Sequence, residues 1–229
     1  MDVQITKKNG ESFILSDYGV LVKDFIVSSI PIESEKSDIE GRPGTVDRGA
    51  RYGARTITVP FRLMASSLLD YPLARDAFYG TVLDLEPYYV REMRRLKKLN
   101  YKFVDPGEPA RMNPDSENRF INGKRYLVRL QNTIDLEQIE TDGEGELVFE
   151  TTNLPFAESI GTTQDIQKNG IDADSGLWGF GMGLIVDEEA LKYTHKAEVG
   201  KPFRVYNAGN VTVHPFYCDL KMTIRNVQG

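Results

Sequence analysis

The stretch from Gly41 to Met64, GRPGTVDRGARYGARTITVPFRLM, restricts the possible folds more than any other part of the chain. Its second half alternates. Arg55, Ile57, Val59, Phe61 and Leu63 fall on one side; Thr56, Thr58, Pro60, Arg62 and Met64 fall on the other. A period of two, carried by β-branched and aromatic residues, predicts a strand with one buried face. Pro60 has no N–H to give a ladder, which places it at a bulge or on an edge. The first half has no period, and the whole span Glu33 to Arg55 reads as a long charged loop. A loop of that length needs a reason to exist, and contact with a neighbour supplies one.

A helix start follows. Asp70 has the chemistry of an N-cap, and Pro72 sits near the first helical position, where a missing N–H costs nothing. Leu73, Ala74, Ala77 and Phe78 predict the buried stripe, and Gly80 weakens the far end.

The rest reads mostly as strands. Val3–Thr6 and Ser12–Leu15 flank Lys7-Lys8-Asn9-Gly10, where Asn-Gly predicts a type I′ hairpin turn. A further strand region runs from Val20 to Ile32. Glu86 to Leu99 supports two readings, with helical spacing of Val90, Met93, Leu96 and Leu99 against the strand-like Tyr88-Tyr89-Val90; strand first is the expectation. Residues 106–122 are loop by composition, and Lys124 to Leu130 alternates as a strand. Ile134–Ile139 is expected to pair with Glu146–Thr152 across Asp142-Gly143. Ser159 to Gly200 is polar and glycine-rich, a linker packing through Trp178 and Phe180. Three short strands follow: Phe203–Tyr206, then, after a turn at Asn207-Ala208-Gly209-Asn210, Val211–Val213, and Leu220–Ile224. These are too few to close a sandwich.

Composition narrows the function. A chain of 229 residues with 40% hydrophobic and 27% charged residues can build a core. Its formal net charge of −6 argues against gripping nucleic acid through phosphates, though it suits a channel that DNA passes without sticking. The single cysteine, Cys218, excludes an intrachain disulfide. No apolar run is long enough to span a bilayer, and the first residues lack the apolar core of a signal peptide, so synthesis in the cytoplasm without export is expected.

No catalytic, cofactor or metal site is predicted. His195, His214 and Cys218 lack the spacing of zinc or nucleophile motifs. Gly179, Gly181 and Gly183 neither follow a strand nor open a helix as a dinucleotide loop does. Gly123-Lys124 lacks the upstream glycines of a phosphate loop, and the acidic turn Glu140–Glu146 lacks calcium-loop order. What stands out is positive charge. Arg42, Arg48, Arg51 and Arg55 suit bidentate pairing across a subunit interface. Arg91, Arg94, Arg95, Lys97 and Lys98 form a basic run, either a solvated face or a contact with an acidic neighbour.

The order of motifs resembles a known family. It is carried by Arg42–Val59, Gly123–Leu130, Leu147–Ser159, Leu177–Leu184 and Phe203 to residue 215. On these stretches the chain is similar to the distal tail (Dit) proteins of long-tailed phages infecting Gram-positive bacteria, in the staphylococcal-type branch. The resemblance implies a mainly β fold with one principal helix. An N-terminal ring-forming domain of β-sandwich or split-barrel type would span residues 1–158, a linker 159–202, and the first strands of a galectin-like or carbohydrate-module-like sandwich 203–229, expected to be incomplete. It also implies a non-enzymatic hexameric ring at the virion tail tip. Its partners would be other copies of itself, the tail tube protein, the tail-tip hub or tail-associated lysin, and receptor-binding proteins, with genome DNA only in passage and no membrane. A stand-alone carbohydrate-binding module and a related tube or hub protein are the competing readings. A tail-tip hydrolase finds no triad, zinc motif or carboxylate pair to support it.

Overall fold

The computed structural model describes residues 1–41, 43–94, 123–171, 177–178, 182–184, 193, 202, 204–214, 216 and 218. In chain order the strands are β1 (Asp2–Thr6), β2 (Ser12–Ile14), β3 (Val20–Val22), β4 (Ile26–Val27), β5 (Ile32–Asp38), β6 (Thr45–Tyr52) and β7 (Thr56–Met64). After helix α1 (Tyr71–Val82) come β8 (Tyr88–Met93), β9 (Lys124–Leu130), β10 (Glu137–Ile139), β11 (Asp142–Thr151) and β12 (Glu158–Ser159), then the short helix α2 (Thr163–Asn169). The fold is mainly β, as the alternation and the resemblance predict.

One antiparallel sheet runs β2-β1-β8-β9-β11-β7-β3, with β10 on β11, β12 on β9 and β4 on β7. Apolar residues of β1, β2, β3, β7, β8, β9 and β11 share a single buried cluster, so the sheet curls into a half-barrel around its own core. The strand at its heart is β7: Ile57, Val59, Phe61 and Leu63 are all at 0% exposure. Its proline has found a gap in the ladder. β3 pairs with residues 61–63 and β4 with 57–58, and between them Lys23 donates its N–H to the Pro60 carbonyl at 2.9 Å. Residues 23–25 break the neighbouring ladder where Pro60 has no N–H to offer.

Helix α1 closes the core, but not with the expected face. Tyr71, Phe78 and Val82 are buried, while Leu73 points outward. Tyr71 and Phe78 lie two turns apart, and burying two rings outweighs burying Leu73 and Ala77. Phe78 meets Phe61 at a centroid distance of 4.9 Å. Asp70 precedes the helix without capping it by its side chain. Its carboxylate instead accepts the Ser67 hydroxyl at 2.8 Å, and its own N–H donates to Ser67 Oγ at 3.2 Å. Gly80 lies within the helix.

Three turn expectations are corrected. Gly10 N–H donates to the Lys7 carbonyl at 3.0 Å and Lys7 N–H to Glu11 at 2.8 Å, and only Gly10 of the Asn-Gly pair has positive φ, 90°. This is a three-residue loop with a glycine bulge, not a type I′ turn. The turn before β11 is Glu140-Thr141, with Glu140 at φ 55°; Asp142 and Gly143 already pair with β10 and β7. Within the strand, residue 143 has to be glycine, because a Cβ there would strike the ring and hydroxyl of Tyr71. Finally, Glu33–Arg55 is not a loop. β5 and β6 pair as a separate two-stranded sheet, Ile32 opposite Tyr52 and Asp38 opposite Thr45, with an irregularity near Gly49 at φ 115°. A ribbon exposed on both faces shows no hydrophobic period, which is why its sequence reads as loop.

The described residues of 159–184 include a short helix and a small packed cluster. Thr162 and Asp165 form a reciprocal capping box on α2. Ile166, Trp178 and Met182 make a second small core, with the Trp178 ring lying against Gly161. Phe180 lies outside the described residues. Of the three C-terminal strands expected, no described residue of 204–214 is in a strand, and Leu220–Ile224 lies outside the description. The turn expected at Asn207-Ala208-Gly209-Asn210 is present, Asn207 Oδ1 accepting from Gly209 N–H at 3.0 Å and its Nδ2 donating to the Val211 carbonyl at 2.7 Å.

Candidate functional site

The β5–β6 hairpin projects from the half-barrel and contributes no residue to its core. Its base is closed by the Gly53 N–H donating to the Pro31 carbonyl at 2.8 Å and by an edge-to-face contact of Tyr52 with Phe156 at 5.8 Å. Its two faces differ near the base. One carries Ile32, Ser34, Ala50 and Tyr52, without charge; the other carries the Glu33–Arg51 pair at 2.8 Å. Both outer edges of the ribbon are unpaired among the described residues. An open edge is a template for strand addition.

The arginine set predicted for subunit contacts is divided by the structure. Arg48 and Arg51 lie on β6, held by Nε bonds to Ser37 Oγ at 2.9 Å and Glu33 Oε2 at 2.8 Å. Cross-strand pairs this exposed add little stability, so they set side-chain orientation more than they hold the ribbon. Arg55 is elsewhere. Its backbone is bonded to Thr151 on β11, and its half-buried side chain sits beside the Tyr126 phenol. Burial pushes that phenol's pKa up and Arg55 opposes the rise. Arg42 lies outside the described residues.

The basic run is likewise heterogeneous. Arg91 is half-buried on β8, where desolvation lowers its pKa. Arg94 is exposed and paired with Glu92. Arg95, Lys97 and Lys98 lie outside the described residues. His214 and Cys218 are joined by a backbone bond, Cys218 N–H to the His214 carbonyl at 2.9 Å, and the imidazole Nδ1 accepts from Phe216 N–H at 3.2 Å. Among the described residues no cluster of three His, Cys, Asp or Glu is arranged to hold a metal ion. No helix among them is long and apolar enough to cross a membrane.

Two features escape sequence reading. Glu144 gathers Lys23 Nζ at 2.8 Å and Arg62 Nη2 at 2.6 Å, with Asp142 3.7 Å from Arg62. The carboxylate is held below its usual pKa by its Lys23 bond first and its Arg62 bond second. The cluster borders a shallow cleft of about 380 Å³ with Asn132 and Asp135, and it clamps residue 23 and β7 to β11. The second feature is the outward face of α1. Leu69 is 92% exposed and Leu73 72%, followed along the helix by exposed Ala77 and Gly80, with Leu85 at 91% beyond the end. The signal for it was present, since apolar residues exceed what one buried face of the helix can take.

Comparison with known proteins decides the class. The profile of the phage tail protein RIFT-related domain matches residues 8–151, which takes in β2 to β11 of the half-barrel with the hairpin and α1. The chain belongs to this phage tail family. A member's place is the virion tail, and the protein is a tail component. Among solved structures, the chain is similar to the Dit protein of phage SPP1, described as a paradigm of the hub adsorption apparatus in phages infecting Gram-positive bacteria. That likeness has 16% identity and a TM-score of 0.43, over 66% of this chain and 50% of that one. The chain thus spans about half the length of that relative. No curated protein sequence matches.

Proposed function

We propose that this tail protein is a distal-tail-type ring subunit. Six copies close a ring that joins the tail tube to the tail-tip hub or tail-associated lysin and gives receptor-binding proteins a place to attach. In this reading the protein acts as a scaffold rather than as an enzyme. Residues 1–158 form the ring domain, 159–202 connect, and 203–229 begin an outward β-domain. The observation that carries the reading is the β5–β6 hairpin: a projecting ribbon without core residues, set inside the domain that defines the tail family. A closed ring needs heterologous surfaces on each subunit, and a ribbon with open edges is one such surface. Arg42, Arg48 and Arg51 belong to this arm by sequence position and support subunit contacts, while Arg55 anchors its root. The basic run from Arg91 to Lys98 meets an acidic surface on a neighbour. Glu146 and Glu150 lie on the outer face of β11 and, with the net acidity, suit a lumen that lets DNA pass.

Light scattering on the purified chain, followed by negative-stain imaging, tests the proposal. A six-membered ring supports it. A stable oligomer of another number, or a tail tip assembled without this chain, overturns it.

A further inference from the structure

We propose that the outward face of α1 is the seat for the β5–β6 hairpin of a neighbouring copy. The inference rests on the ring reading and names the two surfaces that would meet. Leu69, Leu73, Ala77 and Gly80 follow one another along the side of the helix opposite Tyr71, Phe78 and Val82. Leu68 at 62% and Leu83 at 54% exposure flank this face, and Leu85 lies beyond it. At the transfer value of a leucine side chain, five such leucines present roughly 300–500 Å² of apolar surface. Patches of that size on a monomer mark places where something binds. The carboxylates along this face already have partners: Asp76 is paired with Arg75 at 3.1 Å, and exposed Asp70, just before the helix, accepts the Ser67 hydroxyl at 2.8 Å. The seat therefore suits an uncharged occupant.

The chain itself supplies one. The base of the hairpin has an uncharged side, Ile32, Ser34, Ala50 and Tyr52, before Lys36 stands opposite Asp47; Ile32 is 70% exposed, and Tyr52, whose ring also meets Phe156, is 61% exposed. A two-stranded ribbon is marginal alone and gains stability by laying one face on a helix. The uncharged end, three residues on each strand, runs about 10 Å, which matches about two turns of α1. Ala77 and Gly80 have small or no side chains, so a ribbon can approach the helix closely. With this side seated, the Glu33–Arg51 side faces water as a polar rim. Donor and acceptor are different surfaces of the same chain, so the contact is head-to-tail and can propagate round a ring.

The test reads ring and seat separately. In a Cys218→Ser background, Leu73→Cys chains are mixed with Ile32→Cys chains and treated with a short bismaleimide. Light scattering is run in parallel on the wild type and on Leu69→Asp/Leu73→Asp. We expect cross-links only between unlike chains. We also expect the double aspartate variant to associate on the order of a hundredfold more weakly at unchanged Tm. Wild-type-like assembly of the aspartate variant overturns the seat and leaves the ring standing. Cross-links between two Leu73→Cys chains in place of mixed ones overturn it in favour of a symmetric helix-to-helix contact. No assembly of the wild type and no mixed cross-link, even in assembled tails, overturns both.

Discussion

Excising the hairpin separates what it does for the fold from what it does for assembly. The Gly53 N–H already reaches the Pro31 carbonyl at 2.8 Å, so residues 32–52 can be replaced by Asn-Gly without moving the strands on either side. The half-barrel gives up little by this. No residue between 28 and 56 lies in the main buried cluster. The excised chain forgoes the edge-to-face packing of Tyr52 on Phe156, worth about 0.5–1.5 kcal/mol. The shorter connection works in the opposite direction. At about 2–4 °C per kcal/mol for a chain of this size, Tm should fall by no more than about 5 °C. Assembly should be abolished. Thermal melts by circular dichroism and light scattering on the same sample read both quantities. A Tm drop of about 15 °C would show that the hairpin is part of the core and that the energetic reasoning fails. An excised chain that still forms the wild-type oligomer would show that the arm is not what joins subunits.

Phe61→Ala should cost about 3–5 kcal/mol, because a ring at 0% exposure packed on Phe78 leaves a cavity that β7 and α1 cannot both collapse into; urea melts would show a lower midpoint at similar slope. Acid should weaken the fold through carboxylates whose pKa is depressed in the folded state: Glu144 by Lys23 and then Arg62, Asp84 by the Glu86 N–H, and Asp165 by Thr162. Their contribution is complete above the ordinary carboxylate range and lost as pH falls through the folded values, so Tm should hold from pH 7 to about 5 and drop below about 4. Glu144→Gln should make that acid slope shallower, and an unchanged slope would remove Glu144 from the account. Gly161→Val should displace the Trp178 ring that lies against it; the emission of this single tryptophan should shift to the red while the main thermal transition stays in place, and no shift would disprove the packing.

Local chemistry made some parts legible and not others. β7 was readable because one of its faces is wholly buried, so burial wrote itself into every second residue from Ile57 to Leu63. β9 was readable on the same ground through Tyr126 and Val128. The hairpin was not, since neither of its faces enters the core and Ser, Glu, Lys and Asp there obey no period. The rotation of α1 was also hidden: Leu73 and Phe78 compete for the inside, and only the position of Phe61 decides between them. The need for glycine at residue 143 depended on where the Tyr71 ring lies. Arg55 looked like a member of the arginine arm by sequence distance, yet its backbone bonds to Thr151 and its side chain sits beside Tyr126, both on strands far along the chain.

By itself the sequence determined that this chain is mainly β with one principal helix, that Pro60 must lie at a bulge or on an edge, and that a polar, arginine-rich segment carries no core period. These follow from backbone and side-chain properties that act over a few residues. Only the tertiary structure decided that the segment is a projecting ribbon, that Glu144 gathers cations from two other segments, and that a row of leucines on α1 faces outward. Each of these depends on which distant strand lies alongside, and that is set by how the whole sheet curls around one shared core.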